Sequence, residues 1–380
     1  MAKDLIVFGE DWGGLPSSTQ HLIRQVMLKA DRKVIWINSI GLRKPRFSRK
    51  DLGRLWQKIT ASSTAVDHAQ SDDLLLPDRQ KFQVINPKTI PVPEGRFQRQ
   101  LAAQLLVWQI KPVMRRMGIK HPILWTSLPT AVDVAGRLGE SALVYYCCDD
   151  FSALTGVDHQ VVRQRECQLA QQAELILAAS ASLYQKFPPL KTQLISHGVD
   201  YTLFATPCNR ASDLPDDNRP IAGYYGSISD WLDFALLEQV IQSLPDWHFV
   251  FIGEQHVDCS SLTKYPNVHF LGRRAHHQLP SYVQHWTASL LPFVDNAQIR
   301  ACNPLKLREY LAAGKPIVST CFPALKEYQD HISQVETPPQ MVTALNDARH
   351  HTIPSHARSA VAAESWQSRA ELLSTYLEAL

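Results

Sequence analysis

The sequence predicts two doubly wound α/β domains in tandem. Three observations carry that expectation: short apolar, β-branched runs recur along the chain, amphipathic segments lie between them, and one Pro/Asp-rich stretch interrupts the alternation. At 380 residues the chain also exceeds what one ordinary core organises.

The first half supplies strand-like runs at DLIVF, KVIWI, FQVI, ILWT, ALVYYC and LILAA. Helical periodicity appears over Thr19 to Lys29, Phe97 to Met117 and His159 to Glu174. Such alternation describes parallel strands joined by helical crossovers. The stretch ATPCNRASDLPDDNR, residues 205–219, has turn-forming residues and no periodicity, and reads as a linker. Alternation then resumes through PIAGYYG, WHFVFIG, NVHFL, ASLLPF and PIVST. Trp366, Ala370, Leu373, Leu377 and Leu380 recur at helical spacing, which predicts a closing amphipathic helix. The expected organisation is therefore 1–204, a linker at 205–219, 220–355, and a terminal helix within 356–380. Two such domains imply a cleft, with ligands at the carboxyl ends of the strands.

Composition narrows the class. The apolar fraction is 45% and the charged fraction 20%, values of a water-soluble globular protein. No apolar run is long enough to span a bilayer. Seven cysteines without CxxC spacing argue against a disulfide framework or zinc site, and for a reduced, cytoplasmic setting. Fifteen histidines include the pairs His276–His277 and His350–His351, neither with the spacing of a hydrolytic metal site. No metal and no cofactor are expected. The net charge of +3 is too small to imply nucleic acid.

Charge is uneven, however. Residues 41–59 hold seven Lys/Arg against one Asp. Within 48–59, Leu52, Leu55, Trp56 and Ile59 share one helical face, with basic residues around the remainder. A basic, Trp-bearing amphipathic helix suits an anionic membrane surface, equally with packing on its own domain. The segment 43–59 is thus a candidate for peripheral attachment at the inner face of a membrane.

The stretch NPLKLREYLAAGKP, from Asn303 to Pro316, is the most informative. Asn303 suits an N-cap, Pro304 the first helical position, Gly314 a left-handed stop, and Pro316 forbids continuation. Lys306 and Glu309, three residues apart, share a face. A helix N-terminus with a cation suits phosphate, and a carboxylate suits ribose hydroxyls. A surface ion pair explains the same spacing equally well.

The segment NPLKLREYLAAGKPIVST resembles the donor-binding segment of GT-B glycosyltransferases of the bacterial polysaccharide and teichuronic-acid assembly type. The likeness extends through FGEDWGGLPSS, YYCCDDFSAL, SHGVDYTLF, GYYGSISDW and NVHFLGR. It implies two Rossmann-like domains facing a cleft, the first for the acceptor and the second for a nucleotide-sugar. It also implies a last helix returning to the first domain. Lys306 would then meet the diphosphate and Glu309 the ribose. Two features depart from the pattern: Ala301 stands eight residues before Glu309 where many retaining relatives have Glu, and GSISDWLDF lacks the usual Arg and Lys.

Other loops contribute candidates. Gly226 and Ser227 follow the first strand of the second domain, where a glycine lets backbone approach phosphate. A helix is expected to begin near Asp230. Gly13 and Gly14 form a turn before a helix capped by Ser17 or Ser18, and Asp11 either faces the cleft or braces that turn. Asp149 and Asp150 end ALVYYCC, and an inverting transfer needs a general base there. One of the two is the expected base, with Asp150 ahead. His197 is a candidate for a donor phosphate or the sugar, and Arg273 for the nucleobase.

The resulting expectation is a metal-independent hexosyltransferase acting on a glycan or lipid-linked hydroxyl. A nucleotide-sugar 2-epimerase or a non-catalytic nucleotide-sugar or glycan-binding subunit are the alternatives.

Overall fold

The computed structural model describes residues 2–13, 16–40, 80–93, 95–151, 159–350 and 355–380. Gly14 and the basic segment 43–59 lie outside the described residues. The chain forms two compact units, one of residues 1–196 with 370–380 and one of residues 197–369.

The first unit is built on a seven-stranded sheet: β1 (Leu5–Phe8), β2 (Val34–Ile37), β3 (Phe82–Ile85), β4 (Ile123–Thr126), β5 (Ala142–Cys147), β6 (Leu175–Ala178) and β7 (Thr192–Leu194). Its order is β3-β2-β1-β4-β5-β6-β7, with every pairing parallel. The central runs are apolar on both faces because helices cover both, which is why they read as continuous rather than alternating. Strand β7, TQL, is an edge strand of three residues and leaves no periodic signal in the sequence. The helix Ser18–Lys29 is capped by Ser17, whose hydroxyl accepts from Gln20 N at 3.3 Å. The last residues belong here too. Lys3 Nζ donates to Leu380 O at 2.9 Å, Lys29 pairs with Glu371 at 3.3 Å, and Leu373 and Leu377 are buried.

The second unit holds β8 (Ile221–Tyr225), β9 (His248–Ile252), β10 (Val268–Gly272), β11 (Ala288–Leu291), β12 (Ile317–Thr320) and β13 (Ser333–Val335). They form a parallel sheet in the order β10-β9-β8-β11-β12-β13. Strand order reverses between β8 and β11, and the crevice outside their carboxyl ends is where such sheets take ligands. Both units are thus Rossmann-like, as the alternation predicts.

Residues 205–219 lie inside the second unit rather than ahead of it. Cys208 N donates to Gln284 Oε1 at 3.1 Å, Ala211 N to Ser281 O at 3.0 Å, and Leu214 is buried in the core. Hydrogen bonds to a distant helix hold the stretch, so its lack of periodicity does not make it a spacer. The first helix after β8 also begins later than expected, at Phe234, with Asp233 accepting from Leu236 N at 2.9 Å. Residues 228–232 instead extend alongside neighbouring loops, through bridges from Ile228 to Gln255 and from Leu232 to Phe293.

Aromatic packing pins β8. Trp286 is buried, stacks 6.2 Å from Tyr225, and donates from Nε1 to Ser289 Oγ at 3.0 Å. Its indole occupies the space that a Cβ on Gly223 would need, far inside van der Waals contact. Gly223→Ala is therefore expected to cost at least about 3 kcal/mol through overpacking. Urea denaturation reads this directly, and a midpoint like that of the wild type would show that the indole has room to move. Among the described residues, no helix is long and apolar enough to cross a membrane.

Candidate functional site

The switch-point crevice of the second unit is shaped by two glycines. Gly226 follows β8 with φ +135°, Gly253 follows β9 with φ +150°, and both values favour glycine strongly. Gly226 N donates to Ile252 O at 2.9 Å, tying the two strand ends together. A Cβ on Gly226 would fall 2.5 Å from Lys306 Nζ, so the bare backbone makes room for the lysine.

Lys306 lies in the first turn of the helix Leu305–Ala313. Its ammonium donates to Tyr224 OH at 3.0 Å and lies 4.6 Å from the centre of that ring and 5.5 Å from that of Phe293. Tyr224 OH in turn donates to Ser227 O at 3.1 Å. Tyr224 and Phe293 rise from β8 and from the loop after β11, so the cation rests on the wall of the crevice against two ring faces. Gly226, Ser227 and Lys306, predicted separately, are brought together here.

Glu309 lies one turn on and is buried at 8% exposure. Its Oε2 accepts from Tyr225 OH at 2.6 Å and its Oε1 accepts from His276 Nε2 at 2.7 Å. Burial and the neighbouring carboxylate hold the Tyr225 hydroxyl well above its ordinary pKa, so it remains a donor. Both carboxylate oxygens thus have a fixed direction, which a surface i, i+3 pair with Lys306 would not give.

The start of this helix differs from expectation. Pro304 is the N-cap, without a side-chain cap bond, and the helix begins at Leu305. The Asn303 side chain is engaged elsewhere: its Oδ1 accepts from Arg308 Nη1 at 2.7 Å. Arg308 is fully buried, and its Nε donates to Glu364 Oε2 at 2.8 Å. Tyr328 OH and Arg369 Nη2 also donate to Glu364, at 2.6 and 2.7 Å. Although burial works against it, this set led by Arg308 keeps Glu364 below its ordinary pKa. The charged network anchors the helix from behind and consumes the amide that would have capped it. Gly314, at φ +73°, ends the helix as its sequence predicts.

His197 is the first residue of this unit, and burial followed by the charges of Arg308 and Arg369 pushes it down to about 3. It is a neutral imidazole at any ordinary pH, which removes it as a cation for phosphate. Arg273, beyond β10, is 58% exposed and lies 3.7 Å from Glu254.

The first unit places a separate carboxylate cluster beyond β1 and β5. Asp150 Oδ1 accepts from Lys186 Nζ at 2.7 Å, and the same ammonium lies 3.4 Å from buried Glu166. Among the described residues, no ion pair joins a cation to Asp149. Asp149 keeps an exposed surface of its own, and the protein atoms packed around it, then Glu10 and Asp150, push it up to about 6. Burial likewise raises Glu10, which accepts from Ser17 Oγ at 2.9 Å. Asp150 is thus paired with a lysine, whereas Asp149 has the raised proton affinity that suits a base. Asp11 braces the loop, with Oδ1 accepting from Ser39 N at 3.0 Å and its carbonyl accepting from Gln20 Nε2 at 3.1 Å. Gly13, at φ +89°, makes the turn.

Sequence reasoning missed Glu10, Lys186, His276, Arg308 and Glu364. Glu10 and Arg308 stand in quoted runs, but Lys186, His276 and Glu364 meet Asp150, Glu309 and Arg308 from remote parts of the chain and leave no local pattern.

Residues 219–352 match the family of glycosyl transferases group 1. The second unit carries a group 1 glycosyltransferase domain. Asn303, Lys306, Glu309, Gly226, Ser227 and Arg273 all fall inside that group 1 domain, whereas Asp149, Asp150, Asp11, Gly13, Gly14 and His197 fall outside it. The chain is 26% identical over 227 residues to a putative teichuronic acid biosynthesis glycosyltransferase, TuaH, of Bacillus subtilis. That alignment covers 54% of this chain and 57% of TuaH, so the chain spans little more than half the length of this relative. Anabaena HepE, solved with UDP and glucose, superposes with a TM-score of 0.69 at 14% identity over all of both chains. Sucrose-phosphate synthase of Thermosynechococcus elongatus gives 0.69 at 15% identity over 99% of this chain and 98% of its own. The two Rossmann-like sheets are those of the GT-B fold.

Proposed function

We propose that the chain transfers a sugar from a nucleotide-diphosphate donor to a hydroxyl of a glycan or lipid-linked acceptor in cell-surface polysaccharide assembly. The observation that carries this reading is Lys306, held in the switch-point crevice by Tyr224 beside the bare backbone of Gly226. That is a fixed cation at the mouth of a group 1 domain, next to a helix start without a side-chain cap. Developing charge on a leaving diphosphate would be stabilised there without reorganisation, and in a fixed position the lysine acts as a point charge. HepE, solved with UDP-glucose at 16% identity, supports a uridine nucleotide as the first donor to try.

In this reading Glu309 receives the ribose hydroxyls, with His276 giving up or sharing its oxygen. Lys306 and the helix N-terminus supply the charge that a metal would otherwise bring. Asp149 accepts the proton of the acceptor hydroxyl as that oxygen attacks the anomeric carbon. The diphosphate leaves as the carbon–oxygen bond to it breaks.

The test is release of nucleotide diphosphate from a nucleotide-sugar panel, with and without saccharide acceptors, in excess EDTA. Release that requires acceptor and survives EDTA is the expected result. Release without acceptor would point to an epimerase or hydrolase, and loss in EDTA would overturn metal independence.

The basic segment 43–59 is proposed to bring the protein to an anionic bilayer, since each Lys or Arg near such a surface contributes about 1 kcal/mol. Salt-sensitive flotation with phosphatidylglycerol vesicles is expected, and none with neutral vesicles; equal behaviour with both removes the proposal.

A further inference from the structure

The first unit contains a surface cavity of about 280 Å³ lined by Arg96, Arg99 and Arg137, together with Gln100, Gln172 and Asp133. Three guanidinium groups around one concavity repel each other unless something negative lies among them. The only carboxylate among the lining residues is already engaged: Asp133 accepts from Arg99 Nε at 2.8 Å and lies 3.8 Å from buried Arg165. Arg165 donates onward to Pro93 O at 2.7 Å, so two guanidiniums share the single charge of Asp133. Arg96 and Arg137 have no ion-pair partner among the described residues, and both are exposed.

The backbone adds positive potential. Arg96 stands in the first turn of the long helix Gly95–Met117, and Arg99 follows directly, where the helix dipole disfavours cations. An arginine placed there gains from a bound anion twice over, through its own charge and through relief of the dipole. Beyond β4, the turn that carries Arg137 is held by Glu140, which accepts from the amides of Gly136 and Leu138. Glu140 therefore fixes the loop with its carboxylate and leaves Arg137 at the rim of the cavity.

We infer that the Arg96–Arg99–Arg137 cavity binds an oxyanion, phosphate or carboxylate, carried on a molecule the size of one sugar. Guanidinium forks match either group bidentately, and the glutamine amides suit hydroxyls beside it. The volume is at the small end for small-molecule sites and suits a monosaccharide better than a nucleotide. This site lies in the first unit, apart from the Lys306 crevice, and its existence does not depend on sugar transfer.

The test uses the full chain carrying Lys306→Ala, so that the crevice of the second unit contributes least. Glucose 6-phosphate, glucuronate and uncharged glucose are titrated by calorimetry. Saturable binding of at least one of the two anions is expected, with none of glucose, and which anion binds decides between phosphate and carboxylate. Arg96→Gln with Arg137→Gln removes the charges while keeping side-chain length, and should weaken binding by about tenfold or more, as loss of charge-assisted bonds does. Arg115→Gln with Arg116→Gln removes the same charge from the far end of the helix and should leave affinity unchanged. Absence of saturation with both anions overturns the site. So does binding indifferent to Arg96 and Arg137, or binding weakened equally by both pairs.

Discussion

Lys306→Ala is expected to abolish the thermal stabilisation that the fitting nucleotide diphosphate gives the wild type, and to lower turnover by about 10²–10³-fold. At 100 times its dissociation constant such a ligand adds about 2.7 kcal/mol to the folded state, a shift of several degrees for a domain of this size. The ammonium rests on the Tyr224 and Phe293 rings rather than in a core, and the substitution removes no buried packing unit. Stability of the free protein should therefore be near that of the wild type. Lys306→Arg separates charge from shape: the ammonium fits against the missing Cβ of Gly226, and a planar guanidinium has no such room. Partial rescue of binding with little rescue of turnover is the expected pattern. Unchanged thermal shifts in Lys306→Ala would place the phosphates elsewhere in the group 1 domain.

Asp149→Asn is expected to retain donor binding and to cut turnover by roughly 10²-fold or more, whereas Asp150→Asn should cost less. A base works when ionised, so wild-type kcat/KM should fall as pH drops through about 6, and Asp149→Asn should lack that limb. Stability moves in the opposite sense. The folded-state value lies above the ordinary 3.8, so the folded protein holds this proton more tightly than the unfolded chain does. Its contribution is favourable at low pH and is lost as pH rises through about 6. Asp149→Asn should accordingly melt higher than wild type at pH 8 and like wild type at pH 4. A functional carboxylate kept at a cost to stability shows both effects together. If Asp150→Asn instead removed the acid limb, Lys186 would be acting as a proton carrier and the assignment would pass to that pair.

Much of the architecture was legible in the chain. Apolar runs such as ALVYYC and HFVFI are buried on both faces, and a run with that pattern has few alternatives to a central parallel strand. Gly314 and Pro316 stop a helix through backbone chemistry alone, so their signal survives any environment. The edge strands β7 and β13 were silent because three half-exposed residues carry no periodicity. The start of the Leu305–Ala313 helix was misread because Asn303 has two outlets for its amide, and the buried Arg308 five residues on outcompetes the local cap.

What the sequence by itself determined is the pair of doubly wound units, and the face that carries Lys306 and Glu309, since both follow from spacing along one element. Only the tertiary structure decided what those groups are chemically. Glu309 takes its donors from Tyr225 and from His276, 33 residues away, and Asp150 takes its cation from Lys186, 36 residues away. Proton affinity and hydrogen-bond direction depend on the distance to such neighbours and on the water they exclude, and neither quantity is written in the local order of residues. Spacing nominated both aspartates with Asp150 ahead, and only the structure shows that Asp150 is paired with a lysine from a different strand–helix unit.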